Sequence, residues 1–399
     1  MSDFGRAKTA SKLAGIAKKN TMFLALILVI VLFEMLLRAT GNGTLFIPSN
    51  ISNLISQNAY VVILATGMLL CILSGGNIDL SVGAVVVFVG AIAGQMIVTL
   101  GMNLYVSAFL CLLVGLAVGA WHGFWIAYVR IPAFIVTLAG MMLWRGAAWI
   151  ILDGLTISPF PENYLAIFSG FLPVTDNKEL VSTITMAVAA AVCVIFVAMQ
   201  LVGRYTRKKK NYAVEDTATL IGKCVLVCAV VLGVFYFLGQ YKGVPVVLIM
   251  LTVIVGAYRY YTARTVPGRH LYALGGNEKA AKLSGVNTNK ILFISYANMG
   301  FLSAFTALVC VGRFSSAFPA LGNQYEMDAI ASCYIGGASA YGGTGTVFGT
   351  LIGAIFMGVL NNGMSLMHVD QNWQMPIKGT VLLIAVAFDV ISKKRGRTS

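Results

Sequence analysis

An all-α polytopic membrane protein is the fold class this sequence predicts, and three observations predict it. Apolar runs of about 20 residues, the length that crosses a bilayer core, recur from Thr21 onward. Of the 399 residues 58% are hydrophobic and 11% charged, with a mean hydropathy of +0.85; a soluble domain carries about 25% charged residues. Finally, 22 of the 28 Lys and Arg fall before Asn20, at Arg130, in 204–210, at Lys223, in 259–290 and after Ile391. One consistent topology puts all of these on the same side, as the positive-inside rule requires. The net charge of +14 therefore marks topology and not nucleic-acid binding.

Each element follows from its local pattern. Residues 1–20 read as a basic cytoplasmic arm, and the first span, Thr21–Ala39, as a retained anchor with no small-residue cleavage site. Within it Glu34 and Arg38, at i,i+4, neutralise each other near the outer end. Pro48–Gln57 reads as a short interfacial helix, and Asn58–Ser74 returns inward. The stretch Gly75-Gly-Asn-Ile-Asp-Leu-Ser-Val-Gly83 then breaks the hydrocarbon pattern, so it must be packed in protein or line a wet cavity. Spans are predicted at Leu80–Val98, Asn103–Tyr128 and Pro132–Leu152, the last holding Arg145, which needs a partner or water. Gly90/Gly94 and Gly115/Gly119/Gly123 have the four-residue spacing of close helix packing.

Asp153–Glu179 is an outer loop, Leu180–Val202 a span, and Arg204–Lys210 a strong inside marker. A hairpin of Leu220–Gly239 and Val244–Thr262 follows, then a loop at 263–290 and an outward span, Ile291–Val311. Ala329–Gly342 and Thr344–Leu360 are glycine-dense and read as half-length or tilted helices; Trp373–Ile391 brings the chain back in, and 393–399 is a basic cytoplasmic tail. The membrane domain spans 21–392, with about twelve crossings, ten being possible, and both termini inside. Gly75-Gly76 with Gly83 is echoed by Gly336-Gly337 with Gly342-Gly343, and paired broken helices point to a central pathway.

The chemistry on offer is sparse. The seven cysteines lie in apolar stretches without Cys-x-x-Cys or zinc-like spacing, so no metal site is predicted. No P-loop, dinucleotide fingerprint or catalytic constellation is present, hence no cofactor and no enzyme activity. The one polar island is Arg269–Gly285. There Asn277 can cap a helix, Glu278 and Lys282 form an i,i+4 pair, and Gly285 is a C′ stop. A capped helix of roughly two turns cannot persist alone in water; on an inside loop it is suited to receive force from a partner. Two transport classes stay open. An ion-coupled secondary carrier would use Asp79, Glu326, Asp328, Asp389 or Glu34; a primary importer would leave the energy to a separate ATPase docked on the island.

Six motifs occur in order: Gly76-Asn-Ile-Asp-Leu-Ser-Val-Gly83, Pro132-Ala-Phe-Ile-Val-Thr-Leu-Ala-Gly140, Ala273-Leu-Gly-Gly-Asn-Glu-Lys-Ala-Ala-Lys-Leu-Ser-Gly285, Asp328-Ala-Ile-Ala-Ser-Cys-Tyr-Ile-Gly-Gly337, Gly358-Val-Leu-Asn-Asn-Gly363 and Trp373…Lys378-Gly379. Together they resemble the membrane permeases of bacterial monosaccharide ABC importers, of the ribose/xylose/branched-chain amino acid class. The basic loop at 204–210 and the hairpin 220–262 are similar to the xylose and multiple-monosaccharide members.

The resemblance implies an inner-membrane permease that pairs with a second copy, a cytoplasmic ATP-binding subunit and a periplasmic sugar-binding protein. It makes 273–285 the coupling helix, with Gly275, Gly276, Asn277, Glu278, Ala281, Ser284 and Gly285 as the residues facing or shaping the ATPase contact. A neutral sugar needs amide and hydroxyl partners, which makes Asn58, Asn77, Asp79, Asn361 and Asn362 candidates for the path. Helix–helix hydrogen bonding is the competing role for each amide, and Asn77 and Asp79 are expected to hold the break together.

Overall fold

The computed structural model describes residues 21–397 apart from Ala213 and Glu215. The basic arm at 1–20, the last two residues of the tail and the Asp389 side chain lie outside the described residues. Ten of the described helices are long and apolar enough to cross a membrane, the lower end of the predicted range. The two further stretches expected to cross are shorter or less apolar: an 11-residue helix at Tyr325–Ile335 and a helix at Gln371–Arg397 that runs on into the basic tail.

The chain divides into two compact units. The first comprises the residues up to Thr44, Gln57–Phe168 and Ile249 onward; the second comprises Leu45–Ser56 and Ser169–Leu248. Helix α1 (Thr21–Thr40) opens the first unit, and its Arg38 Nε donates to Glu34 at 2.6 Å while the Thr44 hydroxyl donates to the same carboxylate at 2.7 Å. The expected neutralised pair is present. Helix α2 (Pro48–Gln57), at the place of the expected short interfacial helix, is followed after one residue by α3 (Ala59–Leu73), and Pro48–Leu73 taken together is long and apolar enough to cross a membrane. Nearly every side chain of α3 is buried, which suits a helix that is apolar all round.

After the break come α4 (Val82–Gly94), continued by a π-helical turn at Gln95–Thr99, then α5 (Leu104–Ala127), capped by the Asn103 side chain, and α6 (Ala133–Leu152). A short α7 (Glu162–Phe168) lies in the predicted outer loop. The second unit is built on the antiparallel two-residue strands β1 (Phe171–Leu172) and β2 (Val244–Pro245) and on two long helices, α8 (Lys178–Lys209) and α9 (Thr217–Gly239), packed on each other. The basic run forms the last turn of α8, where cations offset the negative helix end.

The chain continues with α10 (Val246–Arg264), α11 (Val266–Gly276), α12 (Glu278–Leu283) and α13 (Thr288–Phe314), then α14 (Tyr325–Ile335), α15 (Val347–Leu366) and α16 (Gln371–Arg397). Helix α13 is the core of the first unit and is buried over most of its length. Gly115 and Gly119 of α5 meet Gly300 and Ala304 of α13 so closely that a Cβ on Gly119 would run into the Tyr296 and Ala297 carbonyls. The four-residue glycine spacing is thus a packing seam.

Candidate functional site

The polar island folds as two helices, not one. Thr265 caps α11 by accepting from Gly268 N at 3.2 Å, with Pro267 in the first turn. At Asn277 the backbone becomes extended, and the Asn277 side chain caps α12 by accepting from Ala280 N at 3.0 Å. Gly285 takes a positive φ of 82° just past the helix end. Ala281 is buried, while Lys279, Lys282, Ser284 and Gly285 are exposed. Leu283, 90% exposed, gives this polar surface one apolar knob.

The expected Glu278–Lys282 pairing is replaced. The Glu278 carboxylate takes Arg130 Nη1 at 2.7 Å, and the other Arg130 nitrogen reaches Asn289 at the start of α13. An i,i+4 pair on an exposed helix is worth only about 0.2–0.5 kcal/mol, so a bridge that joins two elements readily displaces it. Arg130 sits in the left-handed region, φ 67°, in the turn between α5 and α6. Its charge therefore ties that turn to α12.

Behind this surface the two glycine breaks meet. Gly275, near the end of α11, lies against the Leu73 carbonyl and the Gly343 amide so closely that no Cβ fits. Gly343 N donates to Leu73 O at 3.1 Å. Gly342 lies against Gly75, and Gly76 against the Ala340 carbonyl. Tyr272 donates to Gly345 O at 2.8 Å, and burial raises its phenol above the ordinary value, so it remains a donor. The breaks that echo each other in sequence are thus one contact in space, with the end of α11 wedged onto both.

The five amide and carboxylate candidates are held as follows. Asn77 Nδ2 reaches Ser74 O at 3.5 Å and Ser74 Oγ at 3.4 Å. Asp79, 2% exposed, accepts from Ser81 N at 2.8 Å and Ser81 Oγ at 2.6 Å. Both therefore bond within the break. Asn58 is buried against Gly358 of α15, and Asn362 is buried in that helix. Asn361 Nδ2 donates to Asp328 at 3.1 Å.

That last contact exposes a cluster whose importance sequence reasoning missed. Asp328, 1% exposed, receives Tyr60 Oη at 2.5 Å, Asn361 at 3.1 Å and Lys378 Nζ at 3.1 Å. Tyr60 also stacks on Tyr325, ring centroids 3.8 Å apart. One carboxylate so joins α3, α14, α15 and α16. The available signal was a lone Lys in an otherwise apolar stretch, a charge that requires an opposite partner in the membrane.

Comparison with known proteins agrees with this architecture. Residues 50–386 match the family described as branched-chain amino acid transport system / permease component. The chain is 36% identical over 387 residues to the xylose transport system permease protein XylH of Escherichia coli (strain K12), covering 97% of this chain and 96% of that one. It is 37% identical over 377 residues to XylH of Haemophilus influenzae, covering 94% and 97%. With the ribose import permease protein RbsC of Haemophilus influenzae the identity is 34% over 367 residues, covering 92% and 91%. No solved structure matches. A polytopic helical bundle with a polar surface wedged onto two helix breaks, matched to this family over most of its length, is a transport permease: the chain belongs to the branched-chain amino acid transport system permease component family.

Proposed function

We propose that the chain is the membrane subunit of an ATP-driven importer that passes a monosaccharide, xylose or another pentose or hexose, across a bacterial inner membrane. The observation that carries this reading is the wedge of Gly275 between Leu73 and Gly343. A partner pushing on α12 moves α11, and backbone-to-backbone contact leaves no flexible side chain to absorb the displacement. The push therefore reaches both breaks together. The similarity to XylH and RbsC supports a sugar as the cargo.

The partners in this reading are a second copy of the chain, an ATP-binding subunit on the side of α12 and a sugar-binding protein on the other side. Gly275, Gly276, Asn277, Glu278, Ala281, Ser284 and Gly285 make or shape the ATPase contact. The clustering of basic residues supports cytoplasmic termini. Among the predicted path groups, Asn361 is the one whose buried Oδ1 lacks a hydrogen bond, which suits a transient hydroxyl partner.

A second reading, an ion-coupled carrier, draws on the buried Asp328–Lys378 pair, since ionisable groups at membrane depth often relay ions. Uptake of labelled xylose into cells separates the two. The importer reading expects uptake to survive an uncoupler and stop when ATP is depleted; the reverse pattern favours the carrier.

A further inference from the structure

The chain between α13 and α14 is irregular, and its packing places it at membrane depth. Gly94 faces Ala317, Gly90 faces Leu321 and Gly83 faces Gly322, so residues 317–322 run alongside the span formed by α4. Backbone of this kind must be enclosed by protein or border water, because lipid cannot satisfy its carbonyls. Helix α14 then starts, with Glu326 in its first turn. Glu326 is 8% exposed, and its Oε2 has no hydrogen-bond partner. Gly83 leaves the space for that oxygen, since a Cβ there would press directly on it.

Arg145 of α6 faces the same region. It acts on Glu326 electrostatically yet makes no ion pair among the described residues, and its Nη2 reaches the Gly322 carbonyl only at 3.5 Å. It is half-buried inside a span. A guanidinium there cannot face hydrocarbon. Next to it the Trp144 ring lies 5.0 Å from Phe88, and its Nε1 donates to His122 Nε2 at 3.3 Å.

We propose that Trp144, Arg145 and Glu326 form a station on the translocation path that holds a neutral sugar by its hydroxyl groups. The inference deepens the sugar-importer reading and rests on it. A carboxylate accepts and a guanidinium donates to neighbouring hydroxyls, and an indole face takes the C–H side of a sugar ring. Had Arg145 and Glu326 formed an ion pair, each would have been occupied by the other. Their separation leaves one acceptor and several donors for a ligand that brings both.

The test uses the whole importer, with its ATPase and binding protein, in proteoliposomes supplied with labelled D-xylose. Glu326→Gln and Arg145→Gln should each assemble normally and lower uptake by about 10- to 100-fold, the loss expected for one hydrogen bond to a charged group. As a second measurement, Arg145→Cys puts a thiol at the half-buried guanidinium position itself. A charged, water-soluble thiol reagent should label it. Wild-type uptake by both Gln variants overturns the proposal, as does an Arg145→Cys thiol that reacts only with a lipid-soluble reagent. An unsubstituted complex that accumulates no monosaccharide overturns the sugar reading itself, and the station with it.

Discussion

At Asp328 a single carboxylate holds four helices, and its worth depends on every donor staying in place. Taking one partner from a buried pair leaves an uncompensated charge, which costs about 3–5 kcal/mol, whereas replacing both by apolar groups can be neutral. Lys378→Met should therefore destabilise the bundle by about that amount, and Asp328→Leu combined with Lys378→Met should recover most of it. Unfolding titrations in mild detergent check this; equal stability of Lys378→Met and the unsubstituted chain would remove the cluster from the account. Gly275 poses a different residue-scale question. Gly275→Ala drives a methyl group into the Leu73 carbonyl and the Gly343 amide. It should leave the chain inserted in the membrane and cut uptake by tenfold or more, about 1.4 kcal/mol at the coupled step.

Among the elements, α12 is where force is expected to enter. Glu278→Arg sets two guanidinium-bearing side chains against each other where an exposed ion pair stood. Such pairs contribute only about 0–1 kcal/mol, so the variant should fold and insert normally. It should nonetheless lose sugar-dependent ATP hydrolysis and uptake, and pairing it with Arg130→Glu should restore part of both. Normal uptake by Glu278→Arg alone would count against docking at this helix.

The break before α4 is held locally by Asp79. Asp79→Ala leaves the buried Ser81 N–H unsatisfied and should cost about 1–3 kcal/mol without changing which sugars are taken up. Altered selectivity at unchanged stability would move Asp79 from scaffold to path.

How far these features could be read from sequence varies with their range. The Asn277 cap, the Gly285 stop and the glycine seam between α5 and α13 depend on residues a few positions apart, and local spacing revealed them. The Gly75-Gly76 and Gly342-Gly343 echo was visible as a repeat, but its closure into one contact with Gly275 depends on tertiary packing. Arg130 lies 148 positions from Glu278, and no local pattern links them. Asn277 also showed its cap but not the extended backbone that splits the island in two. Asp328 was visible as a membrane carboxylate; its four-helix role was not, because Tyr60 lies 268 positions away and Lys378 50.

Across the whole molecule, charge distribution and function point the same way. Basic residues cluster at one set of loops, the spans are apolar, and the polar surface that reaches both breaks belongs to the basic 259–290 segment. On the importer reading the energy comes from a separate ATP-binding subunit, and this chain relays a displacement made there. The most direct test is reconstitution of the purified chain by itself in sealed vesicles, with a proton or sodium gradient and labelled xylose. No accumulation above the outside concentration is expected until the ATP-binding subunit, the binding protein and ATP are supplied. Concentrative uptake driven by the ion gradient alone would overturn the importer reading.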